Sequence, residues 1–114
     1  MFGRLSMAVA AGIVTLGMAH ADPIEGDWKT EKGSTAGISA CGGSFCIKLK
    51  SGTHAGKSIG KLKADGANGY SGKITDPETD KTYSGKATLS GSSLKMSGCV
   101  LGGLICRSQK WNKL

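Results

Sequence analysis

Four cysteines offer the most chemistry in this chain: Cys41-x4-Cys46 and Cys99-x6-Cys106. Four thiols can hold a zinc ion, cycle between thiol and disulfide, or stay oxidised as staples. The x4 and x6 spacings are loose for a zinc ribbon. A redox pair wants a C-x-x-C at a helix N-terminus, and neither pair has that form. Structural disulfides are therefore the expectation for Cys41, Cys46, Cys99 and Cys106, with the pairing still to be argued.

The other reactive residue types form no constellation. His54 is the only histidine after residue 20 and sits in a Ser-Gly-Thr-His-Ala-Gly loop, where a lone imidazole is usually just solvated. Ser71 and Ser84 lie in extended runs without an evident base, so no nucleophile is set up. Asp76 and Asp80 flank Pro77 and lack the ligand pattern of a calcium loop, which favours a turn. Gly42-Gly43 and Gly102-Gly103 serve tight loops and lead into no phosphate-binding helix. The chain reads as non-enzymatic, with no catalytic residue, no cofactor and no metal site.

The compartment follows from the first 21 residues. Residues 1–4 carry one positive charge, residues 5–17 are mostly apolar and uncharged, and Ala19-His20-Ala21 has the small-x-small form of a cleavage site. This is the pattern of a secretory signal peptide cut between Ala21 and Asp22. The apolar run is too short, and too interrupted by Gly12, Thr15 and Gly17, to span a bilayer, so no membrane span is expected after cleavage. No cysteine follows the cleavage site to carry a lipid anchor. A periplasmic or secreted location is expected, and it favours oxidised cysteines. The domain division is a signal peptide over 1–21 and a single domain over 22–114, too short for a second core.

The chain is basic, with 15 Lys and Arg against 8 Asp and Glu and a net charge of +7. Arg4 is the only charged residue of the signal segment, so most of that charge stays with the domain. The lysines are scattered, as on a solvated strand face with defended sheet edges. No Arg–aromatic interleaving marks a nucleic-acid surface, so no nucleic-acid partner is expected. Attraction to an anionic envelope surface fits better.

Short apolar or alternating runs separated by Gly, Ser, Asp and Asn predict an all-β domain of about eight strands: 26–31, 35–41, 45–50, 57–63, 69–75, 82–89, 93–99 and 106–112. After residue 21 no 3.6-residue stripe predicts a major helix. An internal echo, Tyr70-Ser-Gly-Lys-Ile-Thr75 and Tyr83-Ser-Gly-Lys-Ala-Thr88, fits adjacent strands joined through Pro77. Alternation puts Ile38, Ala40, Ile47, Leu49, Tyr70, Ile74, Tyr83, Ala87, Leu89, Leu94 and Met96 on one face. Lysines occupy the other, as a sheet with one solvated face requires. Ile59 and Leu62 have opposite parity, which predicts a bulge near Gly60. Many inward positions are Gly or Ala. These permit tight coiling into a small barrel and predict a mostly filled interior, a narrow cavity being the alternative.

Topology then chooses the cysteine pairing. In an eight-strand meander the loop after the second strand and the loop after the seventh lie at opposite ends. Cross-pairing would need Cα atoms within about 7 Å across the barrel's length. Local pairs Cys41–Cys46 and Cys99–Cys106 are predicted, each worth roughly 2–2.5 kcal/mol in the chain-entropy model. Trp28 on the first strand and Arg107, Gln109 and Trp111 on the last become neighbours if the barrel closes. Arg107 over the Trp28 ring would then plug one end by a cation–π contact. Trp28, Tyr70, Tyr83, Met96, Arg107, Gln109 and Trp111 are the expected closing and pocket-lining residues.

Gly26-Asp-Trp28, Cys41-Gly-Gly-Ser-Phe-Cys46-Ile-Lys-Leu, Ile74-Thr-Asp-Pro77, Lys81-Thr-Tyr83-Ser-Gly-Lys86, Leu94-Lys-Met-Ser-Gly98-Cys99 and Cys106-Arg-Ser-Gln-Lys-Trp111 together resemble the bacterial family called domain of unknown function 2147. The resemblance implies a small exported barrel with no established chemistry. The Gly-x-Trp start and late Arg107 also resemble lipocalin-like and avidin-like up-and-down barrels. Three roles are expected in this order: binding a small apolar or amphipathic ligand at the barrel mouth; a protein-interaction module, such as an inhibitor or envelope-associated accessory protein, presenting the cysteine-stapled loops and an exposed Phe45 or Val100-Leu101 patch; and, last, a minor enzyme.

Overall fold

Eight alternating runs become eight strands: β1 (Gly26–Lys29), β2 (Thr35–Cys41), β3 (Ser44–Leu49), β4 (Ser58–Ala64), β5 (Gly69–Thr75), β6 (Thr82–Ser90), β7 (Ser93–Val100) and β8 (Ile105–Lys113). The computed structural model describes residues 22–114, the side chain of Leu101 excepted. The expected signal segment lies outside the described residues. Each strand runs antiparallel to the next, and β8 returns to β1 to close an up-and-down barrel. Among the described residues the helical stretch is a 3-10 turn over Leu101–Gly103, and no helix is long and apolar enough to cross a membrane.

The first strand is shorter than its sequence suggests. It ends at Lys29 because Thr30 turns the chain: its amide donates to the Ser34 carbonyl at 2.9 Å, and the two hydroxyls lie 2.9 Å apart. Thr30 is buried by this turn.

Turn chemistry sets the cysteine geometry. Gly42 and Gly43 both take positive φ, 61° and 82°, as a two-residue hairpin turn of the primed kind demands. Cys41 and Cys46 flank this turn on the outer face and are bonded, with Cα atoms 5.9 Å apart. Cys99 lies directly opposite Cys106 across β7 and β8, also bonded, with a Cα separation of 4.1 Å. Strand alternation puts the two bonds at opposite ends. Among the described residues no cysteine is free.

Parity holds inside the barrel. Trp28, Ile38, Ile47, Leu49, Tyr70, Ala87, Leu89, Leu94, Met96 and Trp111 are buried in one cluster. The irregular strand resolves as a bulge. Ile47 faces Gly60 and Lys48 faces Ser58, so Ile59 is the extra residue. That shift buries both Ile59 and Leu62. Ala40 has the inward parity but is exposed beside the hairpin tip.

Three glycines pair side by side across the inner wall: Gly72 with Gly85, and Gly85 with Gly98. The barrel curls tightly here. A side-chain carbon on Gly72 would come within 2.0 Å of the Lys61 carbonyl oxygen, and one on Gly85 within 2.4 Å of Ile74 Cγ1. At Gly98 the nearest atom would be Tyr83 Cβ at 3.6 Å. Backbone cannot yield as a side chain can. Gly72→Ala should therefore cost about 2 kcal/mol or more, and Gly98→Ala under about 1 kcal/mol, read from urea denaturation midpoints. Equal losses would contradict the close approach at Gly72.

Candidate functional site

The barrel's two ends are built differently. At one end the chain before β1 folds inward. Ile24 is fully buried there, and the Trp28 indole Nε1 donates to its carbonyl at 2.9 Å. The Asp22 carboxylate accepts from the Tyr70 hydroxyl and, at 3.0 Å, from the Ile24 amide. Lys113 Nζ donates to the carbonyls of Pro23 at 3.1 Å and Glu25 at 2.6 Å, and sits 4.8 Å from the Trp28 ring centroid. Burial pushes the Tyr70 phenol well above its usual range, and the hydrogen bond and negative charge of Asp22 add to the effect.

The cation over Trp28 is therefore Lys113, which corrects the expectation of Arg107. The register explains the exchange. β8 meets β1 only at Asn112 and Lys113, which face Lys29 and Trp28. Arg107 comes earlier on β8, opposite Gly98 of β7.

The other end is open. Loops 30–34, 50–57, 76–81 and 101–104 lie at this end, and the first and third of them border a cavity of about 800 Å³. Its floor is the buried set Leu49, Ile59, Met96 and Trp111. Ile74 and Tyr83 line the wall half-buried; Gly98, Arg107 and Gln109 complete it. The interior is packed at the plugged end and opens at the other into a basin above these buried residues, where a mostly filled barrel was expected. Ile74 and Tyr83 lean over Gly85 and Gly98 and leave the space towards the mouth unoccupied.

Residues 26–113 match the family described as "Uncharacterized protein conserved in bacteria (DUF2147)". The chain belongs to this family. The match runs from the first residue of β1 to the last of β8, so the family unit coincides with the closed ring. No curated protein and no solved structure matches the chain significantly. The two disulfides indicate an oxidising, non-cytoplasmic compartment for this DUF2147 member, and its family is bacterial.

Of the residues expected at the site, Tyr83, Met96, Arg107, Gln109 and Trp111 meet at the cavity. Trp28 and Tyr70 belong instead to the plugged end. Phe45 is half-buried and packs edge-on against Tyr70, with centroids 5.7 Å apart, so it presents no exposed patch. Val100 is exposed at the lip, joined by Leu104 and Ile105, which the sequence reading passed over. Leu49 and Ile74, inward by parity, and Ile59, inward by the bulge, were expected in the core but not at the cavity.

The flank beside Arg107 is open because β1 stops at Lys29 while β8 extends back to Ile105. The Glu31 carboxylate takes the Lys110 amide at 2.8 Å, covering part of that edge. Across the mouth, Lys32 pairs with Glu78 at 3.3 Å, linking loops on opposite sides of the ring. Lys57 pairs with Asp80. Such exposed pairs are worth at most about 1 kcal/mol each. Asp76 acts in its turn, accepting the Glu78 amide at 2.9 Å.

Two outcomes follow. Lys113→Met should lower stability by about 1–2 kcal/mol, because two hydrogen bonds and a ring contact go, whereas Arg107→Ala should change it by less than about 0.5 kcal/mol. Thermal melts followed by Trp fluorescence compare the two. The Tyr70 shift has a definite sign: the fold favours the protonated phenol, and the unfolded chain releases that proton near pH 10. Its stabilisation is complete below about pH 10 and is lost as the pH rises beyond it. Urea midpoints between neutral pH and pH 11 should fall more steeply for the natural chain than for Tyr70→Phe.

Proposed function

We propose that this protein is an exported, non-enzymatic carrier barrel that takes one small apolar or amphipathic ligand through its open end. The observation that carries this reading is the one-ended cavity, with an apolar floor below and a polar rim above. Eight strands enclose an interior just wide enough to be filled or to hold one small ligand. The cavity volume falls in the range of small-molecule sites. The signal-like segment together with the disulfides supports the periplasm as the place of action.

A second reading has its own support. Exposed Val100, Leu104 and Ile105 lie next to the unpaired edge of β8, a combination that suits docking of an envelope protein.

Native mass spectrometry of protein purified from its own envelope fraction tests both. The expected result is a chain beginning at Asp22, with both disulfides intact and a small molecule retained. Met96→Trp, which puts a larger ring in the cavity floor, should lose that molecule while keeping the fold. A co-purified polypeptide with no small molecule would support the docking reading instead. A bare chain that takes up no apolar dye would overturn the carrier reading.

A further inference from the structure

We propose that the cavity selects a carboxylate head group on an apolar tail, with Arg107 holding the head and Trp111, Met96, Leu49 and Ile59 receiving the tail; this rests on the carrier reading above. Arg107 is the only arginine in residues 22–114. Along the strands, lysines such as Lys48, Lys61, Lys73, Lys86 and Lys95 take the outward parity, where water solvates them. Arg107 has the inward parity and lines the cavity at its mouth, where it too is exposed. Its cross-strand neighbour, Gly98, has no side chain to cover it. Among the described residues no carboxylate pairs with it. The ion pairs that form there belong to Lys32, Lys50 and Lys57.

A guanidinium without a carboxylate partner, exposed at the mouth of a cavity with an apolar floor, is a positive charge that an entering anion meets first. Its planar fork matches the two oxygens of a carboxylate. Gln109, the next inward residue, accepts the Trp111 indole N–H at 3.0 Å through its amide oxygen. That contact turns the Gln109 amino group away from Trp111 and leaves it to donate to the head. Inward residues on one strand recur roughly every 7 Å, so Arg107, Gln109 and Trp111 form a ladder from the wet mouth to the dry floor. The charge stands where water reaches and the apolar surface where it does not. An amphiphile entering tail-first satisfies both. At the rim Lys81 and Asp76 stand together, so the charge that distinguishes the cavity is that of Arg107.

Displacement of an environment-sensitive dye from the full exported chain tests this, using dodecanoate, dodecanol and dodecyltrimethylammonium as probes. Dodecanoate should bind roughly ten- to a hundredfold more tightly than dodecanol, as one charge-assisted pairing predicts. Arg107→Gln should remove that difference, leave dodecanol unchanged and keep the melting temperature. If dodecanol binds as tightly as dodecanoate, or the cationic probe binds best, the head-group assignment falls and the carrier reading survives. If the dye enters but Arg107→Gln keeps the full preference, another residue holds the head and the assignment also falls. If neither dye nor any probe enters, both readings fall together.

Discussion

Everything in this barrel depends on a seam two residues long. β1 and β8 pair at Trp28 with Lys113 and at Lys29 with Asn112, and the Leu114 amide adds one bond to the Asp27 carbonyl at 3.0 Å. So short a ladder cannot hold a ring of eight strands by backbone hydrogen bonds alone. Trp28 supplies the rest, buried completely, held by its indole to Ile24 and covered by Lys113. A large ring removed from water contributes on the order of 2–3 kcal/mol, more than either backbone pair. The seam also explains why one end is full: the residues that secure it occupy the lumen there.

The same short first strand makes the other end open. Beyond Lys29 the β1 side of β8 has no sheet partner. The β7–β8 hairpin must keep its shape without support on that flank. Cys99–Cys106 lies in that hairpin, directly across its ladder. Closing so short a loop is worth roughly 2.5 kcal/mol, against at most about 1 kcal/mol for the exposed Lys32–Glu78 pair across the mouth. Covalent bonding, more than the rim charges, keeps the wall that carries Arg107 and Gln109 in place.

Much of this was legible in the residue pattern, because a strand's period of two is a strong local signal. The strand runs, the inward faces, the bulge implied by the opposed parity of Ile59 and Leu62, and the local cysteine pairs all follow from neighbours in sequence. The partner of Trp28 did not. It depends on the register between the first and last strands, which the Thr30–Ser34 turn sets by ending β1 early, and nothing near Arg107 or Lys113 encodes that. Nor was the cavity readable. Its volume depends on how Ile74 and Tyr83 lie over Gly85 and Gly98, a question of packing between strands. The Lys32–Glu78 pair joins two loops far apart in sequence and had no signal at all.

The seam also dictates an order of events. Seven of the strand pairings join neighbours in sequence, while Lys113 must find Glu25 at a separation of 88 residues. Local hairpins form quickly, and the non-local closure comes last. Trp111 belongs to that final strand, so the cavity has no complete floor until the C-terminal end of the chain has been delivered. A chain still being made, or one clipped a few residues short, is a curled sheet with a wet inner face. Ring closure and the completed cavity therefore arise as a single event.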